Sequence, residues 1–157
     1  MTNSRRTPAG EALTGLILEL FRLNGRLLAA GDRLVAPLGM TSARWQVLGA
    51  AALAAAPETV ARLARAMGLN RQGVQRIVNE LEAEGFVELR PNPHHARAKL
   101  VGLTARGRAT FAAADRLQAP WVNALAQGRG AAALSAAAAL LRDLRERLER
   151  QPERARR

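Results

Sequence analysis

The chain has 157 residues, enough for one domain of ordinary size whose core needs neither disulfides nor a structural metal. Twenty-four basic residues against thirteen acidic ones leave a formal charge of +11, a balance that favours polyanionic partners and nucleic acid first. With no cysteine, a disulfide framework, a thiolate metal site and thiol redox sensing are all excluded.

Only Lys99 is lysine; every other cation is arginine, a skew that with the abundant alanine reflects genome composition as well as selection. The longest apolar run, Val47 to Pro57, is about half the length of a bilayer span. Met1 to Gly10 is polar and basic and lacks the apolar stretch of a signal peptide. These readings lead us to expect a cytoplasmic protein with no membrane partner.

From Glu11 to Leu38, apolar residues recur at spacings of three and four, which predicts a long helix with one greasy face, interrupted in sequence by Gly15, Gly25 and Gly31. Pro37 and Gly39 mark its end. Thr41 or Ser42 then caps a second helix through Trp45, Leu48 and Ala52, which Pro57 closes.

A tight pair follows. Thr59 caps a short helix with Val60, Leu63, Ala64 and Met67 on its apolar side, and Gly68 sits where a helix C-terminus favours a left-handed residue. Asn70 caps the next helix, whose stripe is Val74, Ile77, Val78 and Leu81 and whose stop is Gly85. Two helices joined by a short glycine-containing turn form a helix-turn-helix pattern.

After Gly85 the period changes to that of strands. Phe86 to Arg90 and Lys99 to Leu103 read as the two arms of a hairpin around a Pro/Asn/His loop, in other words a wing. Thr104 caps a helix carrying Phe111, Leu117, Trp121 and Leu125, with a bend expected at Pro120 and a break at Gly128 and Gly130. Ser135 is expected to cap a last helix with Ala138, Leu141, Leu144 and Leu148, followed by a frayed charged tail from Gln151.

At about a hundred degrees per residue, the helix after Asn70 places Gln72, Arg76 and Asn79 opposite its buried stripe, with Gln75 flanking and no carboxylate before Glu80. These are side chains suited to a major groove, since Arg can fork onto guanine and Gln or Asn onto adenine. Arg90, Arg97 and Lys99 lie on and beside the wing, where a basic tip can reach a neighbouring minor groove, and Arg97 is the residue we assign to that contact. His94 and His95, the only histidines, point apart in a loop with no Cys and no acid nearer than Glu88. They suit phosphate contact better than a zinc site. Asp32 and Glu19, beside Arg22 and Arg26, are expected to form surface ion pairs. No nucleophile elbow, metalloprotease motif or phosphate-cradling loop occurs, so no catalytic residue, metal or cofactor is expected.

The stretches Leu38-Gly39-Met40-Thr41, Trp45 to Leu48, Thr59 to Ala64, Gly68-Leu69, Arg71-Gln72, Leu81-Glu82, Gly85 to Val87 and above all Asn92 to Gly107, with its Leu-Thr-x-x-Gly ending, resemble the MarR family of bacterial winged helix-turn-helix regulators. The resemblance runs from about Leu13 to Leu148. It implies a mainly α fold with a small β-hairpin wing: one domain over 1–157, with a winged helix-turn-helix lobe at 41–103 and dimerisation helices at 11–38 and 104–150.

It also implies a homodimer on a pseudo-palindromic operator in double-stranded DNA. The DNA-binding set read from residues and resemblance together is Asn70, Arg71, Gln72, Gln75, Arg76, Asn79, Arg90, His95, Arg97 and Lys99. Many members carry an acid and two arginines in the wing, the acid bracing the arginine, where this chain has Asn92 to Ala96. The family's small aromatic effectors imply a ligand cleft here bordered by Arg44 and Trp45. The expected function is a sequence-specific transcription regulator, a repressor released by a small molecule. The alternatives are a non-specific architectural DNA binder carried by the +11 charge, and a lobe turned to protein interaction or enzymatic work.

Overall fold

A computed structural model describes residues 6–150. The chain divides into two compact units, one ending at Gln118 and the other starting at Ala119.

In the first unit, α1 runs unbroken from Pro8 to Val35. Thr7 caps it by accepting from Gly10 N, and Pro8 fits the first turn because its missing N–H would be unpaired there anyway. A single 3-10 turn, Ala36–Leu38, ends at Gly39 in the left-handed region, so the helix stops one turn earlier than its apolar pattern. Of the three glycines inside α1, Gly31 has a packing reason. A Cβ there would lie 2.7 Å from Ser42 Oγ, so its absence lets α1 and the next helix approach closely.

That helix, α2 (Ser42–Leu53), is capped by Thr41, whose hydroxyl accepts from Arg44 N. It ends four residues before Pro57 because Ala54 is already extended and leads the chain toward a strand. Among the described residues Asp32 joins no surface ion pair. Its Oδ1 accepts from Ser42 N at 2.6 Å, placing a carboxylate at the positive end of α2. Glu19 does pair with Arg22.

The strand β1 (Glu58–Thr59) leads directly into α3 (Val60–Met67), capped by Thr59 and closed by Gly68 at φ +66°. α4 (Arg71–Ala83) follows after a three-residue turn, with Asn70 Oδ1 accepting from Gly73 N at 2.7 Å. Val74, Ile77, Val78 and Leu81 are buried, as their spacing requires. They pack in a common core with Val35, Leu48, Leu63, Phe86 and Val101.

β2 (Val87–Arg90) and β3 (Leu100–Leu103) form the wing hairpin, with Leu89 opposite Val101 and Arg90 opposite Leu100. The sheet has a third strand that alternation could not show. β1 pairs antiparallel with the other edge of β3, giving the order β1-β3-β2. Two residues are too few for a periodic signal, yet they tie the start of α3 to the wing.

α5 (Ala105–Ala126) begins on the Leu-Thr-x-x-Gly segment, and the geometry explains that motif. Thr104 Oγ1 donates to Gly85 O at 2.7 Å, lies 3.1 Å from Phe86 O and accepts from Gly107 N at 3.0 Å. Any Cβ on Gly107 would stand 2.0 Å from Phe86 O, so only glycine lets the first turn of α5 sit against the end of the α4 turn.

α5 passes through Pro120 as one continuous helix, and the boundary between the two units falls just before that residue. In the second unit, α6 (Ala131–Arg150) starts one turn earlier than Ser135, because Ala131 to Ala133 are strong helix formers. Ser135 is therefore interior and not a cap. No residue of α6 is buried. Among the described residues no single helix is long and apolar enough to cross a membrane.

Candidate nucleic-acid interface

The exposed side of α4 carries Arg71, Gln72, Arg76 and Asn79, with Gln75 half-buried beside them; together they line one shallow groove. Gln75 Nε2 donates to Asn79 Oδ1 at 2.9 Å, so these two amides orient each other along the helix. Asn70 is less free than its polarity suggests. Its Oδ1 is committed to capping α4, leaving its amide nitrogen for an outside acceptor.

The wing loop is built on Asn92. Its side-chain Oδ1 accepts from His94 N, its carbonyl accepts from His95 N at 3.2 Å, and Ala98 N donates to His95 O. Two successive turns thus hold His95 and Arg97 exposed at the tip. Arg97 has no carboxylate partner among the described residues, in keeping with the missing wing acid. Arg90 takes the braced role instead, through an ion pair with Glu88 two residues earlier on the same strand.

Wing and helix meet at a cleft of about 290 Å³ lined by Thr59, Ala61, Arg71, Gln75, Arg97 and Lys99, among others. Arg71 from α4 and Arg97 and Lys99 from the wing therefore converge on one opening, beside the N-terminal ends of both α3 and α4. Among the described residues none of the three, nor Arg76, is paired with an acid, whereas Arg44, Arg62 and Arg90 are paired with Glu84, Glu58 and Glu88. Unpaired exposed cations beside helix N-termini present the field a phosphate backbone requires. The place of β1 and Thr59 at this cleft has no signature in the sequence, because a two-residue strand leaves no pattern.

Arg44 and Trp45 lie elsewhere. Trp45 is half-buried and packs against the core. The Arg44 guanidinium, mostly buried, faces Glu84 and the Phe86 ring, so both residues have partners within the fold.

A model of the MarR family matches residues 38–98, the segment that contains α2, α3, α4 and the wing loop. Protein Rv2011c of Mycobacterium tuberculosis is 38% identical over 126 residues, which cover 80% of this chain and 87% of that one. The transcriptional activatory protein BadR of Rhodopseudomonas palustris is 31% identical over 100 residues, covering 62% of this chain and 57% of that protein. Among solved structures, a mutant MarR of E. coli in complex with operator DNA superposes with a TM-score of 0.67 at 28% identity, covering 84% of this chain and 97% of that one.

Proposed function

We propose that this chain, which belongs to the MarR family and is a DNA-binding transcription regulator, works as a homodimer that represses by occupying a pseudo-palindromic operator and is released by a small aromatic anion. The observation that carries the DNA-reading part is the cleft where Arg71, Arg97 and Lys99 converge next to the polar face of α4. In this reading Gln72, Gln75, Arg76 and Asn79 meet base edges in the major groove, Arg97 enters the adjacent minor groove, and Arg71, Lys99, His95 and Arg90 hold the backbone.

The homodimer is supported by apolar surface that a single chain leaves uncovered. On α1, Phe21 is 72% exposed and Ile17, Leu18 and Leu27 also face outward. On α6, Leu134, Leu140, Leu141 and Leu148 do the same. Exposed stripes of this kind call for a partner helix. Two-fold symmetry then sets two half-sites about one helical turn apart. Release fits the position of Arg44, where an incoming carboxylate would compete with Glu84 for the guanidinium.

The test is a titration of the protein on the DNA flanking its own gene, with random DNA as competitor at several salt concentrations. A protected palindrome with a specificity ratio of roughly 10³ or more supports a regulator. Equal affinity for both DNAs assigns the chain to non-specific binding driven by its +11 charge. Loss of the footprint on adding an aromatic acid supports release, and gene activation in place of repression reverses the sign proposed here.

A further inference from the structure

We propose that Arg44 is a positioning residue for DNA reading: it holds the C-terminal end of α4 against α2 and so fixes the angle at which the polar face of α4 is presented. The inference rests on α4 being the recognition helix.

Glu84 forms the C-cap of α4, a place where the helix dipole disfavours a carboxylate. Two arginines from outside the helix pair offset that. Arg44, in the first turn of α2, brings Nη2 to 2.7 Å from Glu84 Oε2, and Arg106, in the first turn of α5, donates from Nη1 to Glu84 O at 2.7 Å. Both guanidinium groups also lie over the buried Phe86 ring, at 5.8 Å for Arg44 and 4.3 Å for Arg106.

The Arg44 contact is one of charge more than of oriented hydrogen bonding. Its Nη1 donates to Gly39 O at 3.3 Å, but among the described residues Nε and Nη2 have no acceptor in hydrogen-bonding geometry. A side chain only 14% exposed that sets its guanidinium against Glu84 and the Phe86 ring contributes the charge it presents there, since packing alone would be served by an apolar chain. α2 is itself fixed to α1, by Asp32 at Ser42 N and by the close approach at Gly31. A continuous path of contacts therefore joins α1 to the far end of α4.

Arg76 lies eight residues before Glu84, about 12 Å along the helix at about 1.5 Å per residue. If that end swings free, a tilt of about 10° pivoting on Asn70 would move side chains near Arg76, about 9 Å from the pivot, by roughly 1.5 Å, more than a hydrogen bond to a base edge tolerates. Holding Glu84 is thus a way of holding Arg76 and Asn79 in register.

The experiment compares the full chain with Arg44→Met, Glu84→Gln, the double variant, and the charge swap Arg44→Glu with Glu84→Arg. Three readouts are taken: affinity for the footprinted operator, affinity for random DNA, and hydrogen exchange at the amides of Glu84, Gly85 and Phe86 in the free protein. The expected result is a roughly tenfold fall in the specificity ratio for each single variant, no further fall in the double, and substantial recovery in the swap. Affinity for random DNA should not change, and exchange at the three amides should quicken in both single variants. If Arg44→Met does not fold, Glu84→Gln, which alters a half-exposed side chain, carries the same prediction. A lower melting temperature with an unchanged specificity ratio makes the pair merely structural and overturns the proposal. A wild-type chain that binds operator and random DNA alike overturns the recognition reading instead, and the exchange data then show separately whether Arg44 holds the end of α4.

Discussion

α4 and α6 both carry apolar residues at helical spacing, yet one stripe is sealed and the other is open. Val74, Ile77, Val78 and Leu81 of α4 are at most 9% exposed, while Leu134, Leu140, Leu141 and Leu148 of α6 are between 37% and 68% exposed. Local stability runs the other way. α6 is rich in alanine and laced by pairs such as Asp143 with Arg147 at 2.8 Å, whereas α4 contains Gly73, Asn79 and two glutamines. α4 thus depends on the packing of its lobe, whereas α6 has the stronger local helix preference and still has a face to cover. Periodicity announces a buried face without saying which chain buries it.

The largest effect expected from this contrast is at Leu81, which is fully buried. Leu81→Ala should cost about 2–5 kcal/mol in urea unfolding, whereas Leu148→Ala, at a 68% exposed position, should stay within about 0.5 kcal/mol in a dilute sample. Similar losses at both positions would break the comparison, since α6 would then be packed as tightly as α4.

Next in size is the association that the open stripe implies. Leu141→Asp should weaken self-association by about 2 kcal/mol or more, read as a shift to lighter species in sedimentation, with the helical circular dichroism retained. An unchanged sedimentation profile would remove α6 from the proposed dimer contact. DNA reading comes third. Arg76→Ala should cost about 1–3 kcal/mol on the operator and little on random DNA. Arg90→Ala should cost less than Arg76→Ala on the operator, because Glu88 already neutralises Arg90. Equal losses for Arg76→Ala on both DNAs would reassign Arg76 to phosphate.

The lobe was legible wherever local rules and packing agree. Thr59, Gly68, Asn70 and Gly85 are cap or stop residues whose chemistry is local, so α3 and α4 could be bounded from sequence. What escaped depends on residues distant in the chain. β1 is defined only by its pairing to β3 some forty positions later, and Asp32 finds the N-terminus of α2 instead of a neighbouring arginine. The site divides in the same way. The polar face of α4 followed from helical geometry, but its meeting with Arg97 and Lys99 at a single cleft, and the partner of Arg44, required the fold.

The smallest effect concerns how the two helices begin. Asn70 Oδ1 accepts from Gly73 N at 2.7 Å, so Asn70→Ala removes a partner from an otherwise orphaned N–H and should cost about 1 kcal/mol. Ser135 reads like the same kind of residue in sequence, a hydroxyl ahead of an apolar run, but it lies inside α6, four residues after the helix starts at Ala131. An interior serine competes with the backbone for hydrogen bonds and is a poorer helix former than alanine. Ser135→Ala should therefore stabilise the chain by a few tenths of a kcal/mol, opposite in sign to Asn70→Ala. Thermal unfolding of both variants distinguishes the cases, and a loss of about 1 kcal/mol at Ser135 would mean that α6 starts at Ser135 after all.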